Sequence, residues 1–158
     1  MSIQRYGESG RIGRVSSAQA PVIRIVAGVI FDDAGRMVLV RKRGTDAFMQ
    51  PGGKFEPGET PQQALVRELN EELGYELDAA ELEPMGRFSA RAANEPGHLV
   101  DCDVFFIRVG SEGVVAAEIE ELRWVDPLDL PDLELAPLTS DVLMPLIRER
   151  AHGERRTP

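Results

Sequence analysis

With 158 residues, 28% of them charged and 42% apolar, the chain has the size and composition of one ordinary globular domain, able to bury a core without disulfide or metal staples. Its net charge of −9 argues against a sequence-independent nucleic-acid binder, which needs a basic stripe to displace counterions. No apolar run approaches the roughly 20 residues that cross a bilayer, and Arg5, Arg11 and Arg14 stand near the start without the apolar stretch of a secretory leader, so a cytoplasmic protein with no membrane or nucleic-acid partner is expected.

Residues 1–20 are rich in Ser, Gly, Arg and Gln and read as a mobile arm, and residues 151–158 as a flexible tail, leaving 21–150 as one domain. Val22 to Phe31 is β-rich and ends in the turn signal Asp32-Asp33-Ala34-Gly35, after which Met37 to Val40 resumes the apolar pattern, predicting a hairpin. A loop dense in Gly and Pro follows from Thr45 to Gly58 and contains Pro51-Gly52-Gly53-Lys54. Thr60-Pro61-Gln62-Gln63 combines a capping residue, a proline suited to the first helical position and a glutamine that completes a capping box. The predicted helix runs to Leu73, stops at Gly74, and carries a stripe of Leu65, Leu69 and Leu73 joined by Val66.

Further strands are predicted at 82–91, 98–108 and 122–125, separated by turn signals at Asn94-Glu95-Pro96-Gly97 and Gly110-Ser111-Glu112-Gly113. Thr139 or Ser140 then opens a second helix whose Val142, Leu143, Leu146 and Ile147 are spaced to bury one face. Strands interrupted by one helix and closed by another predict an α/β layered sandwich. Cys102, the single cysteine, sits in an alternating stretch and reads as a buried small hydrophobe. Phe48, Phe88 and Trp124 read as core before base-stacking platforms. His98 and His152 have no companions at metal-ligand spacing.

On the first helix, Glu68, Glu71 and Glu72 stand at i, i+3 and i+4, where like charges are neighbours and cost about 0.2–0.5 kcal/mol per pair. One adjacent cation, Arg67, does not neutralise three carboxylates. Hard divalent ions take oxygen ligands and bridge carboxylates to phosphates, so a metal-phosphate site accounts for the cluster; a solvated acidic face is the alternative.

Reading outward from this cluster, Gly53 is followed by five residues, Glu59, seven residues, and then Arg67-Glu68-Leu69-Asn70-Glu71-Glu72-Leu73-Gly74-Tyr75. The pattern resembles the Nudix box, G-x5-E-x7-R-E-U-x-E-E-x-G-U with U a bulky aliphatic residue, and departs from it only in Tyr75 at the last position. The resemblance implies an α/β/α sandwich around a mixed β-sheet. It also implies a Mg²⁺- or Mn²⁺-dependent hydrolase that cleaves the diphosphate linkage of a nucleotide small molecule, as a monomer or homodimer. By the same resemblance Glu68, Glu71, Glu72 and the carbonyl of Gly52 are metal ligands, Glu59 and Gly53 support them, and Arg67 orients a glutamate with its planar fork. Family members differ in which glutamate takes the proton from water. Here the candidates are Glu71 and Glu72 in the helix and, from a later loop, Glu118, with Glu120 and Glu121 as close rivals.

Pro-Gly-Gly-Lys followed by Glu-Pro-Gly-Glu-Thr is similar to MutT-type members, which implies a nucleoside triphosphate substrate, oxidised or otherwise damaged, cleaved to monophosphate and pyrophosphate. Lys54 then contacts a phosphate or is a solvated loop end. Arg41 and Arg43, in the cluster Arg41-Lys42-Arg43, face the polyphosphate or end a strand in solvent. Markers of ADP-ribose, dinucleoside polyphosphate, coenzyme A and NADH subfamilies are not evident. ADP-ribose or nucleotide-sugar hydrolysis remains the alternative, with a non-catalytic nucleotide-binding regulator beside it.

Overall fold

The computed structural model describes residues 20–110 and 112–158; apart from Ala20, the arm expected at 1–20 lies outside the described residues. Among the described residues seven strands form one mixed sheet: β1 Val22–Phe31, β2 Met37–Lys42, β3 Phe48–Met49, β4 Gly52–Lys54, β5 Glu83–Arg91, β6 Leu99–Arg108 and β7 Ile119–Val125. The main path runs β3-β2-β1-β6-β5, with β4 paired to β1 and β7 to β2. β1 and β6 are parallel along their whole length, from Val22 opposite Leu99 to Phe31 opposite Arg108.

Period-two alternation divides the sheet's side chains between two layers. Val26, Ile30, Val38, Val40, Phe105 and Ile107 face helix α1 (Pro61–Leu73) and bury its Leu65, Leu69 and Leu73 completely. Ala27, Val29, Phe31, Leu39, Val104 and Phe106 face the opposite helix, α2 (Met144–Arg156), and cover Leu143, Met144, Ile147 and Ala151. The result is the expected α/β/α sandwich.

The hairpin between β1 and β2 pairs Phe31 with Met37, and the two strands then part. β4 fills the place beside β1, with Ile25 opposite Lys54 and Ala27 opposite Gly52, while Gly28 N–H donates to the Pro51 carbonyl at 2.9 Å. Only a glycine tolerates this approach, since a Cβ on Gly52 would lie 2.0 Å from the Val26 carbonyl oxygen. The parting of the central strands is where the cavity described below opens.

Three expectations shift. The second helix is preceded by a π-helical turn at Leu138–Leu143, and Leu146 of the predicted apolar face is exposed beside buried Ile147. The chain from Ala151 to Arg156, read as tail, continues α2, held by buried Ala151 and by Arg155 paired to Asp126 at 2.7 Å. β3 and β4 lie inside the segment read as loop because two or three residues are too short to show alternation.

Cys102 is fully buried in the α2-side core, and burial, reinforced by Asp103 and Asp101, pushes its thiol up to about 12. The thiolate is the reactive form. A disulfide-forming thiol reagent is therefore expected to leave native protein unlabelled at neutral pH and to label it once it is unfolded in urea; stoichiometric labelling of the native chain would contradict this burial.

Candidate active site

Helix α1 begins as its sequence dictates. Thr60 accepts from the Gln63 backbone N–H, the Gln63 side chain accepts in return from the Thr60 N–H, and Gly74 closes the helix in the left-handed conformation at φ 67°. With apolar Leu65, Leu69 and Leu73 fixed toward the sheet, helical geometry places every other side chain, at about 100° per residue. Glu68 and Glu72, four apart, share the edge of the buried stripe; Glu71 is rotated away from both.

The structure follows this geometry closely. Glu68 and Glu72 line a cavity of about 310 Å³ together with Gly52, Gly53, Lys54, Lys42 and Glu118. Glu71 lies outside it, its side chain 56% exposed and 3.4 Å from Arg67. Expected as a ligand in the same cluster, Glu71 is not brought into the cavity.

Arg67 is the cationic hub. Its Nε and Nη2 donate to the two carboxylate oxygens of Glu59 at 2.6 and 2.9 Å, its Nη1 to Glu68 at 2.9 Å, and its Nη2 also to the Lys54 carbonyl at 2.9 Å. One side chain thus ties the residue before the helix cap, the end of β4 and the helix itself. The fork on Glu59, helped by the Glu56 N–H, lowers that carboxyl's pKa below its usual value. Gly53 completes the fit, because a Cβ there would stand 2.4 Å from the Glu68 carboxyl carbon.

Glu72 is the exceptional group. It is 2% exposed, accepts from the Gly52 N–H at 3.2 Å and has the Lys42 ammonium 3.7 Å away. Desolvation raises its pKa to about 7; Lys42 and the Gly52 N–H oppose the rise, and the nearby charges of Glu68 and Glu118 reinforce it. Burial raises the pKa of Glu68 as well, against the pull of Arg67.

Glu118 arrives on a loop held largely by its backbone, with the Arg43 side chain on the Ala117 carbonyl at 3.0 Å. The Val114 N–H donates to the Leu73 carbonyl at 2.8 Å, the Ala116 N–H to the Glu72 carbonyl at 2.9 Å, and the Arg43 N–H to the Glu118 carbonyl at 2.9 Å, which straps the loop before β7 to the end of α1. Its rivals are directed elsewhere, with Glu120 3.6 Å from Arg43 and Glu121 bound to Arg123 at 2.6 Å and Arg41 at 3.3 Å. Arg41 and Arg43 therefore do not line the cavity; the neighbour between them, Lys42, does. Alternation along β2 is the signal that finds it, since 42 shares the α1-facing side with Val38 and Val40.

Among the described residues, no three His, Cys, Asp or Glu side chains stand grouped as a ready metal site, because Arg67 holds Glu68 and Glu71. The carboxylates and backbone carbonyls around the cavity are nonetheless oxygen donors, and buried Glu72, with half-buried Glu68 beside it, is thinly supplied with positive charge. That chemistry fits a hard divalent cation.

The model of the NUDIX domain matches residues 22–146. The chain belongs to the NUDIX family. An 8-oxo-dGTP diphosphatase of Haemophilus influenzae is 29% identical over 132 residues, 81% of this chain and 93% of that protein. An RNA pyrophosphohydrolase of Pseudomonas putida is 44% identical over 54 residues, a stretch that is 34% of each chain. The crystal structure of a MutT protein from Methanosarcina mazei superposes with a TM-score of 0.67 at 22% identity, covering 88% of this chain and 99% of that one. The protein is thus a MutT-like Nudix hydrolase, an enzyme of pyrophosphate bonds, and the box residues described above are its Nudix motif. Among the described residues no helix is long and apolar enough to cross a membrane.

Two outcomes follow for this Nudix site. Removing the hub in Arg67→Ala leaves Glu59 and Glu68 without their partner and is expected to cost about 1–3 kcal/mol in urea unfolding; Arg67→Lys should recover only part of it, because an ammonium cannot reproduce the fork. Glu72 has a folded pKa near 7 against an ordinary 4.5, so its contribution to stability is fully present below 4.5 and is lost as pH rises through about 7. In chelator, the urea midpoint of wild type should therefore fall relative to that of Glu72→Gln across this window; parallel pH profiles would contradict the assignment.

Proposed function

We propose that this Nudix hydrolase cleaves nucleoside triphosphates, oxidised ones included, to monophosphate and pyrophosphate with the help of Mg²⁺ or Mn²⁺. The observation that carries the reading is the convergence of Glu68, Glu72, Glu118 and Lys42 on one cavity, with Glu72 buried and its pKa near 7. The 8-oxo-dGTP diphosphatase relative, matched along nearly its whole length, supports the substrate class.

Glu68, Glu72 and Glu118, with the Gly52 carbonyl, would hold the cation, and Glu71 would join them on turning away from Arg67. When bound, the cation supplies Lewis-acid polarisation and neutralises phosphate charge. The chain's own residues do the rest. Arg67, anchored on Glu59, fixes Glu68, and Lys42 and Lys54 offer ammonium groups to the polyphosphate. Water attacks a phosphorus of the diphosphate linkage, the bond to the bridging oxygen breaks toward pyrophosphate, and the water proton passes to a carboxylate oxygen. A base must lie within reach of the attacking water and be held in place, which favours Glu72, buried in the cavity wall, over exposed Glu118.

The test is a panel of NTPs, dNTPs, 8-oxo-dGTP, ADP-ribose, NADH and dinucleoside polyphosphates incubated with enzyme and Mg²⁺. Pyrophosphate plus monophosphate from the triphosphates, abolished by chelator, is the expected result; turnover of ADP-ribose in preference to every triphosphate would overturn the substrate class. Glu72→Gln should lose at least about 100-fold in kcat, while Glu118→Gln should retain more activity than Glu72→Gln. The reverse order would move the base to the loop.

A further inference from the structure

The cavity has a second end. Besides the glutamates and lysines, its wall is formed by apolar Ile23, Ile25, Ala27, Val100 and Leu138, by the more exposed Arg91, Asn94 and Glu95, and by one buried polar pair. Gln50 is 5% exposed and Thr139 1% exposed, and the Thr139 hydroxyl donates to the Gln50 side-chain oxygen at 2.6 Å. That separation suits an O–H···O bond, in keeping with the orientation of the carboxamide in the structure. The oxygen faces Thr139, and the Gln50 amide nitrogen, equally buried, has no hydrogen-bond partner.

A buried amide with two unused N–H donors costs stability unless something accepts from it, and one that lines a cavity is placed where a ligand group can. Gln50 lines the same cavity as the carboxylates and stands two residues before Gly52, whose N–H holds Glu72. A molecule whose phosphates lie at Glu68 and Glu72 thus brings its other end toward Gln50. The donor is flanked by apolar side chains, which suits the faces of a flat heterocycle.

We propose that Gln50, its carboxamide pinned by Thr139, is a specificity-determining residue that reads an exocyclic keto oxygen on the substrate's base and selects keto over amino bases. This rests on the nucleotide reading of the site. A keto oxygen accepts from the free N–H groups; an amino group at the same position is itself a donor and leaves them unpaired. Sites built to pair with one substrate group reject the analogue lacking it far more strongly than apolar pockets do.

The experiment is equilibrium binding of nucleoside monophosphates in Mg²⁺ buffer by calorimetry, which needs no turnover. IMP against AMP and UMP against CMP each exchange keto for amino on a constant ring. Wild type should bind the keto member about tenfold or more tightly in at least one pair, and Gln50→Leu should bring that ratio to within about threefold. Thr139→Val, which frees the carboxamide to turn, should lower the ratio too and serves if Gln50→Leu does not fold. Equal affinities in both pairs, no binding of any of the four, or a ratio untouched by either variant overturns the proposal. Keto-selective binding without hydrolysis of any triphosphate would retire the hydrolytic reading and keep this one; hydrolysis without keto preference would do the reverse.

Discussion

A carboxylate taken almost wholly out of water is the constraint around which this molecule is arranged. Glu72 is 2% exposed, and its charge is opposed by the loss of hydration and by two neighbouring glutamates. Everything that makes the position tolerable is local: one backbone N–H from Gly52 and one ammonium 3.7 Å away on Lys42. A buried charge supported this thinly weakens the fold. The natural reading is that the strain serves chemistry, since a carboxylate this short of positive charge attracts cations and protons alike.

Arg67 solves the complementary problem. Were Glu59, Glu68 and Glu71 left to themselves, they would repel one another across the helix start. A single guanidinium instead gathers them, and through the Lys54 carbonyl it fixes β4 against α1. The two glycines of β4 make the same approach possible from the other side, Gly52 against β1 and Gly53 against Glu68. Helix, cap and strand are thereby held in one unit whose parts are contiguous in sequence.

That contiguity explains what could be read before any coordinates. The box residues stand out by their resemblance to a known family pattern, and the capping pair Thr60 and Gln63, the stop at Gly74 and the longer strands follow from spacing and periodicity; all of these are one-dimensional signals. Distances across the fold are not. Three acidic residues looked like one cluster, yet the helix turns Glu71 away while Glu68 and Glu72 share an edge. The basic run 41–43 drew attention to its two arginines, although strand alternation sends the lysine between them to the cavity. Gln50 had no signal at all: a lone amide in a Gly- and Pro-rich loop becomes informative only when Thr139, far away in sequence, is found to take its oxygen and leave its nitrogen unpaired.

The parallel pairing of β1 with β6 bears on how the chain reaches this state. Val22 cannot find Leu99 until the hairpin, the Nudix helix and β5 have all been made, so the central pairing is strongly non-local and slow to form. During synthesis α1 emerges long before β6 brings Phe105 and Ile107, so the cover over Leu65, Leu69 and Leu73 is at first incomplete next to an acidic row. The acidic row on this helix acts first as a guard, its like charges keeping unfinished chains from associating through that half-covered leucine stripe.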